Sequence, residues 1–232
     1  MMTRFADRVA VVTGGARRTG RAVSLRLAEE GAAVAIVSRT PRALEPTVGA
    51  IREGGRPAVG ILADVGIPDD ARRIAREVEA AFGRADFLVN AAGIYLPGEF
   101  PSYPYENWKR TLDTYLSGPF LVTQSLLPLL ERPPGGHVVN LSSTIAEEGL
   151  PGFEAYCAGK GGIEAMTRAL AHSLEPRGVK VSVLIAGQIN AEGTSPEPDT
   201  KLETADVADA IVYLLSLPSR VYLRELVIKT RR

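Results

Sequence analysis

Tyr156 and Lys160 stand four residues apart in Ala155-Tyr-Cys-Ala-Gly-Lys160, and Ser143, the second of a Ser-Ser pair, lies thirteen residues before the tyrosine. On a helix, an i, i+4 spacing sets both side chains on one face, with Cβ atoms about 6 Å apart. An ammonium at that distance favours the phenolate, so Lys160 is expected to lower the Tyr156 pKa from its ordinary value of about 10. A tyrosine so tuned can act as an acid or a base near neutral pH. A serine hydroxyl beside it can hold a substrate oxygen. Tyr-x-x-x-Lys by itself is common by chance, so its meaning depends on the elements that carry it.

Those elements alternate along the chain. Short apolar runs at 8–13, 33–37, 57–62, 86–90, 137–141, 179–185 and 222–228 read as strands. Between them, helical patterns are expected at 19–30, 41–53, 68–82, a long region of about 105–131, 153–175 and 204–216. The strands are apolar throughout instead of alternating, which marks strands buried on both faces of a parallel sheet. The expected fold is α/β: a doubly wound, Rossmann-type parallel sheet of about seven strands with helices on both faces. No linker divides the 232 residues, so one domain over 1–232 is expected. The stretch 188–203 is polar and rich in Pro and Gly and reads as a loop at the carboxyl end of a strand, where such sheets bind ligands.

The first strand runs into Thr13-Gly-Gly-Ala-Arg-Arg-Thr-Gly20. Glycines there permit a tight turn, and the following helix offers free N–H groups to a phosphate. The spacing is not G-x-G-x-x-G. It also fails as a P-loop, because Arg21-Ala22 stand where Lys and Ser/Thr are required, so nucleotide hydrolysis is rejected. The second strand ends Val37-Ser-Arg-Thr40 with no acid for ribose hydroxyls. Arg39, with Arg17 from the turn, is placed to grip a 2′-phosphate, a pattern that favours NADP over NAD.

Composition narrows the classes. Hydrophobic residues at 45% and charged residues at 23% are ordinary for a soluble globular protein. Lys+Arg and Asp+Glu balance at 27 each, which argues against nucleic acid or an anionic membrane as partner. A single cysteine, Cys157, allows no internal disulfide and fits a reducing compartment. His137 and His172 have no ligand partners at useful spacing, so no metal is expected. With no signal-peptide core and no membrane-length apolar run, a cytoplasmic location is expected.

Together these motifs resemble the short-chain dehydrogenase/reductase family, from Arg8 to about Ile228. The resemblance implies that Ser143, Tyr156 and Lys160 are catalytic. It implies a cofactor, NADP(H), held by Gly14, Ala16, Arg17, Arg18, Thr19 and Gly20 of the turn, and by Ser38, Arg39 and Thr40. Asp64 and Val65 match the family's adenine-holding pair, and Asn90, Ala91, Ala92 and Gly93 match its Asn-Ala-Ala-Gly motif. Tyr156, Lys160, Gly187 and Ile189 complete the set at the nicotinamide end. The implied reaction is reduction of a carbonyl substrate (ketone, aldehyde or 3-oxoacyl type) to an alcohol, in a homodimer or homotetramer.

The chain departs from the family in four places. Arg18 replaces a glycine, a form that resembles the pteridine reductases and makes a pteridine or dihydropterin reductase the alternative reading. Tyr115 replaces an asparagine that anchors a water beside the lysine, so its hydroxyl is expected to take a catalytic part. Ala186 and Ala191 stand where Pro and Thr are usual, and the substrate loop at 188–203 is short. Tyr115 and Ala186 keep a second alternative open, a non-catalytic NADP(H)-binding sensor or scaffold.

Overall fold

The computed structural model of the protein describes residues 3–132, 134–191 and 200–231. Seven strands form one parallel sheet: β1 (Val9–Thr13), β2 (Ala33–Ser38), β3 (Ala58–Leu62), β4 (Phe87–Asn90), β5 (His137–Ser143), β6 (Lys180–Ala186) and β9 (Glu225–Ile228). Their order across the sheet is β3-β2-β1-β4-β5-β6-β9, and every neighbouring pair is parallel. The chain therefore reverses its winding between β1 and β4. That reversal opens a crevice at the carboxyl ends of the strands.

Apolar strands form here because successive side chains enter opposite cores. Ala10 and Val12 face one layer with Val23 and Leu27 of α1 (Arg18–Glu29), Val48 of α2 (Pro41–Glu53) and Ile211 of α8 (Thr204–Ser216). Val11 faces the other with Ile74 of α3 (Pro68–Phe82), Leu126 of α5 (Gly118–Leu130) and Leu174 of α7 (Glu154–Leu174). The seven-stranded, two-faced sheet expected from the runs of Val, Ile and Ala is the sheet observed.

Three stretches differ from the sequence expectations. The region 105–131 is not one helix: α4 (Tyr105–Leu112) and α5 are joined by a π-helical turn over Asp113–Ser117. The extra residue per turn rotates Thr114 and Tyr115 into the interior. Strand β5 runs on to Ser143, carrying the Ser-Ser pair at its carboxyl end. The stretch 188–203 is not all loop: β7 (Ile189–Asn190) pairs in parallel with β8 (Leu202–Glu203), and Asn190 Nδ2 donates to Glu203 Oε1 at 2.9 Å. Residues 192–199 of that stretch lie outside the described residues. The short helix α6 (Ile145–Glu148) lies between β5 and α7.

The opposite end of the sheet is fastened by one carboxylate. Asp86 has a side chain 1% exposed and accepts from Arg8 Nη1 at 2.7 Å, Arg84 Nη2 at 2.5 Å and Val9 N at 2.9 Å. It clamps the amino ends of β1 and β4 together, holding their carboxyl ends in register across the crevice. Removing one partner of a buried charge cluster strands the others. Asp86→Ala is expected to cost about 3 kcal/mol, read as a lower urea midpoint with an unchanged slope. A loss under about 0.5 kcal/mol, the range of ordinary surface substitutions, would contradict the clamp.

Candidate active site

The turn after β1 can exist only with glycine. Gly14 has φ +68, and a Cβ there would sit 2.7 Å from Ala92 Cα; one on Gly20 would sit 2.2 Å from the Gly14 carbonyl oxygen. The turn thus lies backbone to backbone against the Ala91-Ala92 turn after β4. Thr13 Oγ1 accepts from Ala91 N at 3.1 Å and Ala92 N at 3.2 Å and ties the two together. The first turn of α1 has no acidic residue and no side-chain cap. Its open N–H groups and positive dipole end are suited to an anion. Arg18 opens this helix in a left-handed conformation, φ 49, which costs a non-glycine residue about 1–2 kcal/mol. The strain sits where the family motif has glycine.

Arg17, Arg18, Thr19 and Gly20 border a cleft of about 1020 Å³ with Gly14, Ser38, Arg39, Thr40 and Val65. Ala91, Ala92, Gly93, Gly187 and Ile189 border it further along. Three expected cofactor residues do not. Ala16 is buried in the core, where its carbonyl accepts from Thr47 Oγ1 at 3.3 Å. Asp64 turns its carboxylate to Arg39 Nη1 at 3.1 Å and Gly66 N at 3.0 Å. Asn90 is buried beneath the cleft, donating to Asn140 Oδ1 at 2.8 Å, while Asn140 donates to Thr167 Oγ1 at 2.8 Å. This chain of side chains joins β4, β5 and α7, so Asn90 braces the floor of the site.

Ser143, Tyr156, Lys160 and Tyr115 meet at one end of the cleft. Ser143 lies close enough to Tyr156 for its hydroxyl to favour the phenolate, and its Oγ accepts from Ile145 N at 3.4 Å. Lys160, one helical turn on, is 6% exposed; its Nζ donates to Leu141 O at 2.5 Å and lies 4.4 Å from the centre of the Tyr115 ring and 5.8 Å from that of Tyr156. The Tyr115 ring meets Tyr156 edge to face, with centres 5.0 Å apart. Its hydroxyl donates to Ile94 O and accepts from Ile94 N at 3.1 Å, so it is turned to the β4 loop and not toward the lysine as expected.

Burial dominates the electrostatics. It lowers Lys160 to about 7, with Glu164 opposing. It raises Tyr156 above its ordinary value, against the opposing effect of the Ser143 hydroxyl, and the Cys157 thiol adds to the rise. The expectation that Lys160 would depress Tyr156 is therefore reversed. The lysine spends its hydrogen bond on Leu141 and is itself only partly charged near neutrality, so desolvation of the phenol prevails.

One wall of the cleft has no motif in the sequence to signal it. Ile94, Tyr95, Ile145, Leu150 and Phe153 line the cleft beside Tyr156, with the Glu148 carboxylate among them. Tyr95 and Phe153 meet at a tilt with centres 5.8 Å apart, and Phe153 meets Tyr156 edge to face at 6.2 Å. No periodicity marks these loop positions; exposed aromatics next to two recognised motifs were the only available sign.

A model of the short chain dehydrogenase family matches residues 8–201. The chain belongs to the short-chain dehydrogenase family. This short-chain dehydrogenase is 32% identical over 231 residues to an uncharacterised oxidoreductase of Staphylococcus epidermidis, covering 98% of this chain and 99% of that one. Among solved structures it resembles a short chain dehydrogenase from Burkholderia cenocepacia in complex with NADP, at 29% identity and TM-score 0.90, covering 97% of this chain and 98% of that one. It also resembles an NAD+-bound xylitol dehydrogenase, at 26% identity and TM-score 0.89, covering 98% and 99%. As an oxidoreductase of this family, it carries the expected motifs on the expected fold. Among the described residues no helix is long and apolar enough to cross a membrane.

The lowered Lys160 pKa has a consequence for stability. The lysine titrates near 7 when folded and near 10.5 when unfolded. Between those values the unfolded chain binds the extra proton, so stability rises with pH and the penalty is largest below about 7. Lys160→Met is thus expected to gain roughly 2–4 kcal/mol relative to the parent at pH 6 compared with pH 10, measured by urea unfolding at both. A difference that does not vary with pH would contradict the burial of this ammonium.

Proposed function

We infer that the protein is an NADP(H)-dependent oxidoreductase that reduces a carbonyl to an alcohol. The observation that carries this reading is the convergence of Ser143, Tyr156 and the buried Lys160 on the same cleft that the glycine cradle lines. The cradle suits a dinucleotide because its backbone approach leaves no room for a Cβ at Gly14 or Gly20. Arg39 and Arg17 border the same cleft, and β2 ends without an acid, which supports a 2′-phosphate. The Burkholderia cenocepacia structure in complex with NADP agrees with that preference.

When bound, the reduced nicotinamide supplies the hydride that goes to the carbonyl carbon. The chain's own groups handle the oxygen. Ser143 Oγ holds it by a hydrogen bond, and Tyr156 gives it a proton as the C=O electron pair moves onto oxygen. Burial keeps Tyr156 protonated before reaction, which suits a proton donor and hence reduction. The ammonium form of Lys160 stabilises the phenolate left behind, which regains its proton from solvent through the cleft. Tyr95 and Phe153 offer an apolar wall for the substrate beside Tyr156. The direction reverses for an alcohol with the oxidised cofactor.

Two variants test the parts separately. Tyr156→Phe is expected to lower turnover in an NADPH-oxidation panel of ketones, β-keto thioesters, quinones and dihydropterins by at least about a hundredfold, with NADPH affinity retained. Substantial residual turnover would remove Tyr156 as the proton donor. Arg39→Asp is expected to weaken NADPH relative to NADH by more than about tenfold, through loss of a charge-assisted phosphate contact. An unmoved ratio, by fluorescence titration, would put the 2′-phosphate elsewhere.

A further inference from the structure

Tyr115 joins three parts of the site. The π-helical turn at Asp113–Ser117 carries it inward, and two glycines make its seat. A Cβ on Gly159, the residue before Lys160, would meet Tyr115 Cβ at 2.9 Å, and one on Gly93 would meet Tyr115 Oη at 3.0 Å. The ring seated there has its face 4.4 Å from Lys160 Nζ and meets the Tyr156 ring edge to face. The hydroxyl bonds both backbone groups of Ile94, at the start of the loop that carries Tyr95 and the apolar wall.

We propose that Tyr115 is a positioning residue with two separable actions: its ring holds the charged form of Lys160, and its hydroxyl pins the substrate-wall loop at Ile94. The proposal rests on the role given above to Lys160 and extends it to the substrate wall.

The two actions follow from different atoms. An ammonium over an aromatic face is attracted by the ring quadrupole, more strongly where water is excluded. Leu141 O is the hydrogen-bond acceptor at Lys160 Nζ, so the ring supplies a second surface of negative potential. The hydroxyl does not serve as an acid or base. Burial holds it protonated well above the ordinary tyrosine range, against the Ile94 hydrogen bond and the nearby Arg18 charge. It both donates and accepts at Ile94 and so fixes that peptide on both sides. The charged and titratable groups around Lys160 are Glu164 and Tyr156 from α7 and Tyr115 from the π turn, with Arg18 of α1 acting on Tyr115. Glu164 is held by Ser142 Oγ at 2.6 Å, which leaves Tyr115 as the element that can be changed without touching that carboxylate.

The test separates ring from hydroxyl. The chain has five lysines, so in protein labelled with 13Cε-lysine the Lys160 signal is assigned by its loss in Lys160→Arg and followed over pH. Tyr115→Phe keeps the ring. Its Lys160 midpoint is expected to stay within about 0.3 pH unit, while exchange of the Ile94 amide accelerates at least about tenfold. Tyr115→Met removes the ring, and the Lys160 midpoint is expected to fall by about half a pH unit or more. Should Tyr115→Met not fold, Gly159→Ala displaces the ring from the same seat and is expected to move the midpoint in the same direction. In turnover, Tyr115→Phe is expected to raise KM for the carbonyl about fivefold with the pH limb of kcat unmoved. A Lys160 midpoint that moves equally in Phe and Met variants, or in neither, overturns the ring's part. An unchanged Ile94 exchange rate overturns the hydroxyl's part. The midpoints and exchange rates are read without turnover, so a protein that reduces no carbonyl sinks the reductase reading and still decides this one.

Discussion

Moving an ammonium out of water costs several kcal/mol unless something replaces its hydration, and Lys160 is 6% exposed. Its replacements are one carbonyl, Leu141 O, and two aromatic rings. The surroundings of the cleft's reactive end follow from this arrangement. Gly159 must lack a side chain so that Tyr115 can come close. The helix before α5 must take a π turn to aim that ring. Strand β5 must extend to Ser143 to set Leu141 and the two serines beside α7. What results is a lysine poised near neutrality beside a tyrosine kept protonated, two groups whose environments pull them away from their solution values in the way acid–base sites require.

The sheet holds these pieces to the necessary tolerance. Thr13 faces Asn90 and Asn90 faces Asn140 across adjacent parallel strands. The Asp86 clamp at the amino ends and the Asn90–Asn140–Thr167 chain beneath the cleft fix that register from both sides. The glycine turn after β1 and the alanine-rich turn after β4 can then touch backbone to backbone. A dinucleotide-sized groove therefore ends at the tyrosine and lysine without any single long loop having to position them.

Much of this was legible in the sequence because it rests on local or periodic rules. Doubly apolar strands predict a covered parallel sheet, and Val11 against Ala10 and Val12 obeys that rule residue by residue. The Gly14–Gly20 turn was readable because only glycine meets its sterics. The Tyr156–Lys160 spacing was readable because a helix turn is a fixed distance. What escaped depends on three-dimensional surroundings. The sign of the Tyr156 shift turns on burial outweighing charge, and spacing carries no burial. The pairing of Asp64 with Arg39, twenty-five residues earlier, is likewise a contact in space that no local pattern announces. The π turn has no signature that separates Asp113–Ser117 from the helices around it, so the sequence does not reveal that the Tyr115 hydroxyl faces Ile94. The aromatic wall comes from loops, where neither periodicity nor propensity speaks.

In the proposed reaction Tyr156 and its neighbours govern a direct hydride transfer to a carbonyl carbon. Reaction of a ketone taken from the turnover panel with NADPH deuterated at C4 on one face, followed by mass and NMR analysis of the alcohol, tests this most directly. One of the two faces is predicted to deliver a single deuterium to the carbinol carbon, with the hydroxyl proton drawn from water. An alcohol whose carbinol hydrogen exchanges with solvent, or no alcohol from either labelled cofactor, would contradict it.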